Sequence, residues 1–357
     1  MTLITHTGYA ELPYAHGGPP GEARVKDRPE DFCVSEILGF TPAGSGQHAF
    51  LSIQKRGLTT EEVARRIAKF CGVRLLDVGY AGQKDKHAIT TQWFSVDLHN
   101  APEPMWEGLD DAALRIVQTT WHTRKLKVGA LRGNRFELML RDYSADFGAL
   151  TTQVEKIRVH GTPNYFGEQR FGRDGDNVAR AAAFFAGEYR PRSPHERGML
   201  LSAARAYLFN EVLAQRVRDG SWNHIHTGDV MMLAGSHSVF PVAEVDANLR
   251  VRVAAHDIHP TGPMWGKGPL MSGGAIARLE TDVVGRYPAL CAGLEHWDLR
   301  QERRNLVLRI GSMEIGAQNE GVRLCFELEA GAYATTVVRE ISRRHLSTYS
   351  TNIDVPG

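Results

Sequence analysis

The chain reads as an α+β protein in two parts, with the first part split around the second. Three observations lead there. Strand-like alternation of apolar and polar residues fills roughly the first 160 residues and returns over the last 50 or so; the stretch between them is richer in helix; and the texture changes abruptly at Gly161, where a loop dense in Gly, Asn and aromatic residues begins. At 357 residues the chain is long enough for two domains, each of roughly 150–200 residues.

The elements follow in order. RPEDFCVSEI reads as a strand with Phe32, Val34 and Glu36 on one face and Cys33, Ser35 and Ile37 on the other. A Gly/Pro-rich loop, GFTPAGSGQH, separates it from a second strand, AFLSIQK. From Thr59 to Gly72 the chain has the marks of a helix. Thr59 and Glu62 stand at capping-box spacing, Val63, Ile67 and Phe70 share a face, and Gly72 suits the position just past the C-terminus. In VGYAGQKDKHAITTQWFSVDL the second half alternates, with Phe94, Val96 and Leu98 opposite Trp93, Ser95 and Asp97. GQKDKHA is thus expected to be a loop between a strand end and a strand start. NRFELMLRD predicts a strand with Phe136, Leu138 and Leu140 on one side, and residues 144–160 a helix burying Phe147, Leu150, Val154 and Ile157. Beyond the PNYFGEQRFGRDGDN loop come two Ala-rich helices, DNVARAAAFFAG and LLSAARAYLFNEVLAQRV, then a Gly/Pro/His-rich region to about residue 274. Alternation resumes in NLVLRI and in VRLCFEL (Val322, Leu324, Phe326, Leu328), and a last helix is expected over 334–345.

Composition narrows the function classes. Hydrophobic residues make up 42 % and charged residues 23 %, which excludes a disordered chain. The 42 basic residues nearly cancel the 41 acidic ones, leaving a formal charge of +1 and no bulk attraction for nucleic acid. Locally the picture differs. HTRKLKVGALRGNR, residues 122–135, holds Arg124, Lys125, Lys127, Arg132 and Arg135 with no acid, a patch suited to a phosphate backbone. Of the basic residues 33 are arginine, the better bidentate partner of phosphate. Overall neutrality therefore does not exclude a nucleic-acid partner met by a local patch, though a solvated strand pair is the plainer reading of that run. Cys33, Cys71, Cys291 and Cys325 form no CxxC pair and are expected as buried free thiols in a reducing compartment. No apolar run reaches membrane-span length and the N-terminus lacks a leader pattern, so a cytoplasmic location is expected.

Chemistry concentrates in GYAGQKDKHAITTQ. Lys84 and Lys86 flank Asp85, and a close cation favours carboxylate over acid. An ionised carboxylate offered from a strand end can act as nucleophile or base; the plainer reading is a charged hairpin loop. In NYFGEQRFGRDGDN, glycines permit close approach, arginines suit phosphates and aromatics can stack on bases; alternatively this is a tight structural loop. The histidines near 224–226 and 256–259 lack further ligands at metal spacing, Asp174-Gly175-Asp176 is too short for a calcium loop, and no P-loop, nucleophile elbow or dinucleotide fingerprint occurs. A mechanism without cofactor or metal is the simplest expectation.

With AGQKDKHAITTQ (81–92), KVGALRGNRFELMLRD (127–142), PNYFGEQRFG (163–172), LLSAARAYLFN (200–210), AGAYATTVVRE (330–340) and PEDFCVSEI (29–37), the chain resembles the TruD family of tRNA pseudouridine synthases, collinearly from about residue 20 to 344. The resemblance implies isomerisation of uridine to pseudouridine in tRNA, at position 13 in bacterial members, without cofactor or metal and without an obligate protein partner. It implies the pseudouridine-synthase catalytic fold, a mixed, largely antiparallel sheet with flanking helices, carrying a large inserted α/β TRUD domain. Residues 1–160 and 306–357 would then be the catalytic domain, ending in a helix and tail, and 161–305 the insertion. The two are expected to form a cleft walled by the NYFGEQRFG loop and the basic run.

Carried over by position, Asp85 is the expected catalytic carboxylate. It has three routes open: attack on C1′ of the sugar, attack on C6 of the base, or removal of a proton from C2′. Phe32 matches an aromatic that lines the uracil pocket, Asn134 an amide that holds the Asp85 loop or substrate, and Lys84 the lysine adjoining the nucleophile. Lys26 and Arg339 are candidate cations for the carboxylate, and Arg170 and Arg132 candidate partners or RNA contacts. Tyr333 stands where the family usually has Phe; stacking survives that change, and the hydroxyl becomes a candidate for the final proton removal from C5. A non-catalytic RNA-binding protein on the same fold is the main alternative. An aspartate-nucleophile hydrolase lacks the second carboxylate or metal site it would need.

Overall fold

A computed structural model of the chain describes residues 9–99, 102–172 and 175–345. Its alternating segments come together as one ten-stranded mixed sheet. β1 (Gly21–Val25), β2 (Phe32–Leu38) and β3 (His48–Arg56) lead to α1 (Thr60–Cys71), then β4 (Val78–Tyr80), β5 (Ile89–Asp97), β6 (Leu114–His122), β7 (Leu131–Arg141) and α2 (Phe147–His160). The chain then leaves this sheet to build β8 (Thr162–Pro163), α3 (Asp176–Phe185), α4 (Pro194–Arg218), β9 (Val230–Leu233), β10 (Val239–Pro241), α5 (Ala247–Ala254) and β11 (Ile258–Met264). α6 (Gly274–Val284), α7 (Pro288–His296), β12 (Glu302–Asn305) and β13 (Val307–Leu308) complete the middle. β14 (Gly311–Gln318), β15 (Gly321–Glu329), α8 (Ala334–Ile341) and β16 (Ser342–His345) return to the large sheet.

Along that sheet the order is β14-β15-β7-β2-β5-β3-β6, with β1 beside β7 and β16, and β4 beside β5. Every pairing is antiparallel except β2–β5 and β1–β16. The middle segment forms its own four-stranded sheet, β10-β9-β11-β12, and the β8–β13 pair, packed around the long buried helix α4. The protein is thus a mixed α+β chain with a large mixed sheet.

The alternation predicted for β2 holds: Phe32, Val34 and Glu36 are buried and the residues between them half-buried. The register sets Phe32, Val34 and Glu36 opposite Leu138, Phe136 and Asn134 of β7, so all six share a face. α2 and α8 cover that face over β7 and β15 with Leu150, Val154, Ile157, Val337 and Ile341. Farther along, α1 covers Leu51, Ile53, Phe94 and Val96 with Val63 and Ile67. Between the two apolar clusters the same sheet buries polar groups, Glu36, Lys55, Thr90 and Gln92. Buried polar groups are costly unless hydrogen-bonded; Glu36, Lys55 and Gln92 find partners in and around one loop, whereas Thr90 Oγ1 has none among the described residues.

α1 is capped as its sequence predicts. Thr59 accepts from the Glu62 N–H, Glu62 accepts in return, and Gly72 closes the helix at φ 66°. Other expectations need correction. Phe147 is 41 % exposed, because it opens α2 and its side chain points back past the N-cap, beyond the sheet edge. The last helix stops at Ile341, not 345, because Ser342–His345 pair as a parallel strand with β1, a partner more than 300 residues away. β1, β6 and β14 are strands the alternation did not mark. The Gly/Pro/His-rich region contains β9, β10, α5 and β11. The four cysteines are free, but only Cys325 is fully buried. No helix among the described residues is long and apolar enough to cross a membrane.

At Gly133, between Arg132 and Asn134, an added Cβ would run into the main-chain carbonyl of Leu328 on β15. Gly133→Ala is expected to cost about 1–3 kcal/mol, seen as a melting temperature several degrees lower. An unchanged melting temperature would mean that β7 and β15 part there freely.

Candidate active site

The loop from Ala81 to Ala88 joins β4 to β5 on the side of the sheet that carries the buried polar groups. Its anchors come from the elements around it. Gln92, one turn of the pleat into β5, donates to the Gly82 carbonyl and accepts from Thr60 Oγ1 at 3.0 Å. Thr60 Oγ1 itself accepts the Lys84 N–H at 3.0 Å, so the capped start of α1 reaches the loop directly. The Gly129 N–H closes on the Ala81 carbonyl at 2.9 Å. Lys55, 1 % exposed, donates to the carbonyl of Asp85 at 3.0 Å and to that of Leu58 at 2.7 Å. Burial pushes the Lys55 ammonium down to about 8, with the Asp85 charge opposing that shift.

Lys84 and Glu36 form the second anchor. Lys84 Nζ lies 2.6 Å from Glu36 Oε1, and Glu36 Oε2 accepts the Trp93 N–H at 2.8 Å. The Glu36 side chain is fully shielded, and its burial raises the carboxyl against the pull of Lys84. Lys84 therefore does not pair with Asp85, as its place in the sequence suggested; it ties the loop to β2.

The cation at Asp85 is Lys26, with Nζ 3.1 Å from Oδ2, while Oδ1 accepts the His87 N–H at 2.9 Å. Burial is the largest influence on the Asp85 carboxyl and would raise it; the Lys26 charge, the His87 N–H and the Lys26 hydrogen bond together outweigh burial and hold it below the usual aspartate value. About a fifth of the Asp85 side chain stays open to solvent, so the carboxylate is ionised and reachable. Lys26 Nζ also sits 3.8 Å from the centroid of the Phe32 ring. Its backbone is left-handed, φ 64°, which costs a non-glycine residue roughly 1–2 kcal/mol; the turn out of β1 places the ammonium between ring and carboxylate. Asn134 lies opposite Glu36 in the β2–β7 register, and its buried Oδ1 has no hydrogen-bond partner among the described residues.

The remaining expected residues are placed elsewhere. Arg339 is not a partner of Asp85: it donates to the carbonyls of Leu12 and Pro13 and lies over the Tyr14 ring, 3.8 Å from its centroid. Arg170 donates to Tyr333 OH through Nε at 3.2 Å and Nη2 at 2.8 Å, and to Ser202 Oγ at 3.1 Å. Arg132 is 3.9 Å from Glu327, which Arg135 approaches at 3.7 Å from the opposite residue of the β7–β15 ladder. In the NYFGEQRFG loop, Tyr165, Phe166 and Phe171 are core residues around α4, not free stacking surfaces. Asn210 clamps that loop by bonding both the N–H and the carbonyl of Phe166. Asp174 lies outside the described residues. Among them, no three of His, Cys, Asp and Glu gather closely enough to hold a metal ion.

Thr60 and Gln92 escaped the sequence reading, and so did two charged residues of this site, Lys55 and Glu36. The signal was present, since each puts a charge at an otherwise apolar position of an alternating strand.

Removing the Lys26 charge leaves burial as the ruling influence on Asp85. Lys26→Met is expected to raise the Asp85 carboxyl from its wild-type value, observable by NMR titration of the side-chain carbon. A titration unchanged from wild type would show that Lys26 does not hold the carboxylate ionised.

The chain matches the family model "tRNA pseudouridine synthase D (TruD)" over residues 11–189 and 192–341. It is 46 % identical over 336 residues to the tRNA pseudouridine synthase D of Methylococcus capsulatus, covering 94 % of this chain and 95 % of that one. It is also 46 % identical over 333 residues to that of Chromohalobacter salexigens, covering 92 % and 95 %. A crystal structure of a Methanosarcina mazei protein described as tRNA pseudouridine synthase D superposes with a TM-score of 0.77 at 19 % identity, covering 92 % of this chain and 95 % of that one, and shares its fold. With an ionised aspartate held in its GQKDKHA loop and this extent of likeness, the chain belongs to the TruD family.

Proposed function

We propose that this protein isomerises uridine to pseudouridine in tRNA, at position 13, with Asp85 as the catalytic carboxylate and no cofactor. The observation that carries the proposal is the Asp85 carboxylate, kept ionised by Lys26 at 3.1 Å and still partly open to solvent, in a chain 46 % identical to a tRNA pseudouridine synthase D along 94 % of its length.

The reaction conserves every atom. The N1–C1′ bond breaks, the uracil turns while still bound, C5 bonds to C1′, and the C5 proton leaves as N1 gains one. Each of the three routes for the aspartate needs the ionised form: attack on C1′ forms a transient ester that C5 displaces, attack on C6 forms an adduct on the base, and removal of the C2′ proton opens an elimination path. Lys26 holds the charge and the position of the carboxylate and covers a face of the buried Phe32 ring, which closes the apolar side of the pocket for an unstacked uracil. The unanswered Oδ1 of Asn134 suits an N–H of the base, and Lys84 keeps the loop from yielding as substrate enters. A dry site protects the detached sugar from water. Tyr333 supplies a ring whose hydroxyl is retained by Arg170.

On this reading residues 1–160 and 306–357 form the pseudouridine-synthase catalytic domain and 161–305 the inserted TRUD domain. The large sheet drawing its strands from residues 21–141 and 311–345 supports that division. The free thiols and the substrate suit the cytoplasm.

Unmodified tRNA transcripts incubated with the protein and probed by carbodiimide primer extension are expected to stop at position 13 with wild type and not with Asp85→Asn. Binding without a stop in both would favour the non-catalytic RNA binder. Tyr333→Phe is expected to keep single-turnover conversion near wild type while Tyr333→Ala loses it; a matching loss in the Phe variant would assign proton removal from C5 to the hydroxyl.

A further inference from the structure

Apart from the Asp85 site, a cavity of about 930 Å3 opens where the end of α2 meets α5, β11 and the segment around Val307 and Arg309. None of its lining residues belongs to the Asp85 loop or to the residues that anchor that loop. Five imidazoles line it: His160, His224, His226, His256 and His259. Two guanidiniums, Arg250 and Arg309, join them against a single carboxylate, Glu244. His259 is 8 % exposed, lines the cavity, and its ring makes no hydrogen bond to a protein group among the described residues. Arg309 is fixed by donating to the Val159 and Arg158 carbonyls at the end of α2, while Arg250 stands exposed on α5 without an ion pair among the described residues.

We propose that this cavity is a binding site for a phosphate-bearing ligand, whose oxygens are met by Arg250, Arg309 and the surrounding imidazoles while its apolar part rests on Ile225, Val253 and Val307. The volume suits a nucleotide-sized group, as small-molecule sites run to roughly 300–1,000 Å3, and donors dominate the polar lining. A metal ion fits less well, because no three of these side chains gather around one point among the described residues. Two sources carry the same chemistry, a free nucleotide and the backbone of an RNA. The proposal does not depend on the isomerase reading, since it uses none of the residues around Asp85.

Four of the imidazoles lie where their surroundings favour the neutral ring. Burial, then Arg309 and His256, hold His259 down to about 4, with Asp257 opposing. Burial, then Arg309 and His160, lower His256, against its bond to Val253. His160 is lowered by burial, then by His16, His224 and Arg309. His226 is lowered by burial and Arg216, with Asp229 opposing, and His224 and Arg250 add to the lowering. A phosphate reverses the local sign and favours the charged rings, so binding takes up protons and tightens as pH falls.

Titration calorimetry on the full chain, with adenosine monophosphate, inorganic phosphate and an oligoadenylate that contains no uridine, tests this. For the oligoadenylate, whose phosphodiesters keep one charge throughout, binding is expected to be about tenfold tighter at about pH 6 than at about pH 8, with proton uptake, and all binding is expected to weaken about tenfold in the Arg250→Ala/His224→Gln variant at an unchanged melting temperature. Monophosphate or phosphate bound as tightly as the oligomer identifies a free nucleotide or phosphate site. Oligomer bound where neither small anion is held identifies an RNA backbone. No binding at millimolar concentrations, binding indifferent to the variant, or one zinc ion taken up per chain with the anions excluded would each overturn the proposal.

Discussion

An ion pair buried without a complete set of hydrogen bonds costs several kcal/mol, and the loop that carries Asp85 is held by such charges. Glu36 and Lys84 meet at 2.6 Å out of solvent, and Lys55 sends its ammonium into two main-chain carbonyls beneath the same loop. Each is tolerable only because its partners are held in register by different strands. Glu36 comes from β2, its second partner Trp93 from β5, and Lys55 from β3. The parallel β2–β5 pair is what brings these strands together, and the capped first turn of α1 supplies Thr60 as the remaining link. Loosening any one of them would leave a charge buried and unanswered, so the sheet and the loop stand or fall as a unit.

The middle segment repeats the device. Arg216 of α4 reaches Asp229 at 2.7 Å with both side chains shielded, and Arg303 of β12 reaches Glu280 of α6 at 2.7 Å in the same condition. These pairs tie helices to the second sheet where the apolar contacts of α4 end. Breaking a buried pair by removing one partner commonly costs 3–5 kcal/mol, so such contacts resist relative motion of the elements they join. The consequence for the Asp85 site is a rigid floor. The reacting carboxylate is aimed by main-chain and charge anchors instead of by its own flexibility, which is what a reaction needing a near-attack geometry requires.

Much of this was legible beforehand, for reasons that differ by residue. Asp85 stood out because charges crowd a short loop between two apolar strand ends. α1 was legible down to its caps, because capping is decided by residues three positions apart. β2 and β7 were legible because each buries one face only. Phe147 was misjudged because periodicity says which side a residue is on but not where the neighbouring layer stops. The NYFGEQRFG aromatics stayed open between base stacking and a tight structural loop for a related cause: a loop so rich in Gly and polar residues looks solvent-facing until α4 is seen to cover it.

Local order in the chain therefore settled α1, β2, β5 and β7, the charged loop and the family, since these depend on neighbours a few residues apart and on long collinear motifs. Which cation serves the carboxylate was beyond it. Lys26 and Arg339 were equal candidates along the chain, and only the fold turns Lys26 toward Asp85 while sending Arg339 to the carbonyls of Leu12 and Pro13. The same holds for Lys84, adjacent to Asp85 in the chain yet paired across the sheet with Glu36. Electrostatic partners are chosen by distance in space, at a few ångströms and in a shielded medium, and that distance is set by strand register between segments tens to hundreds of residues apart.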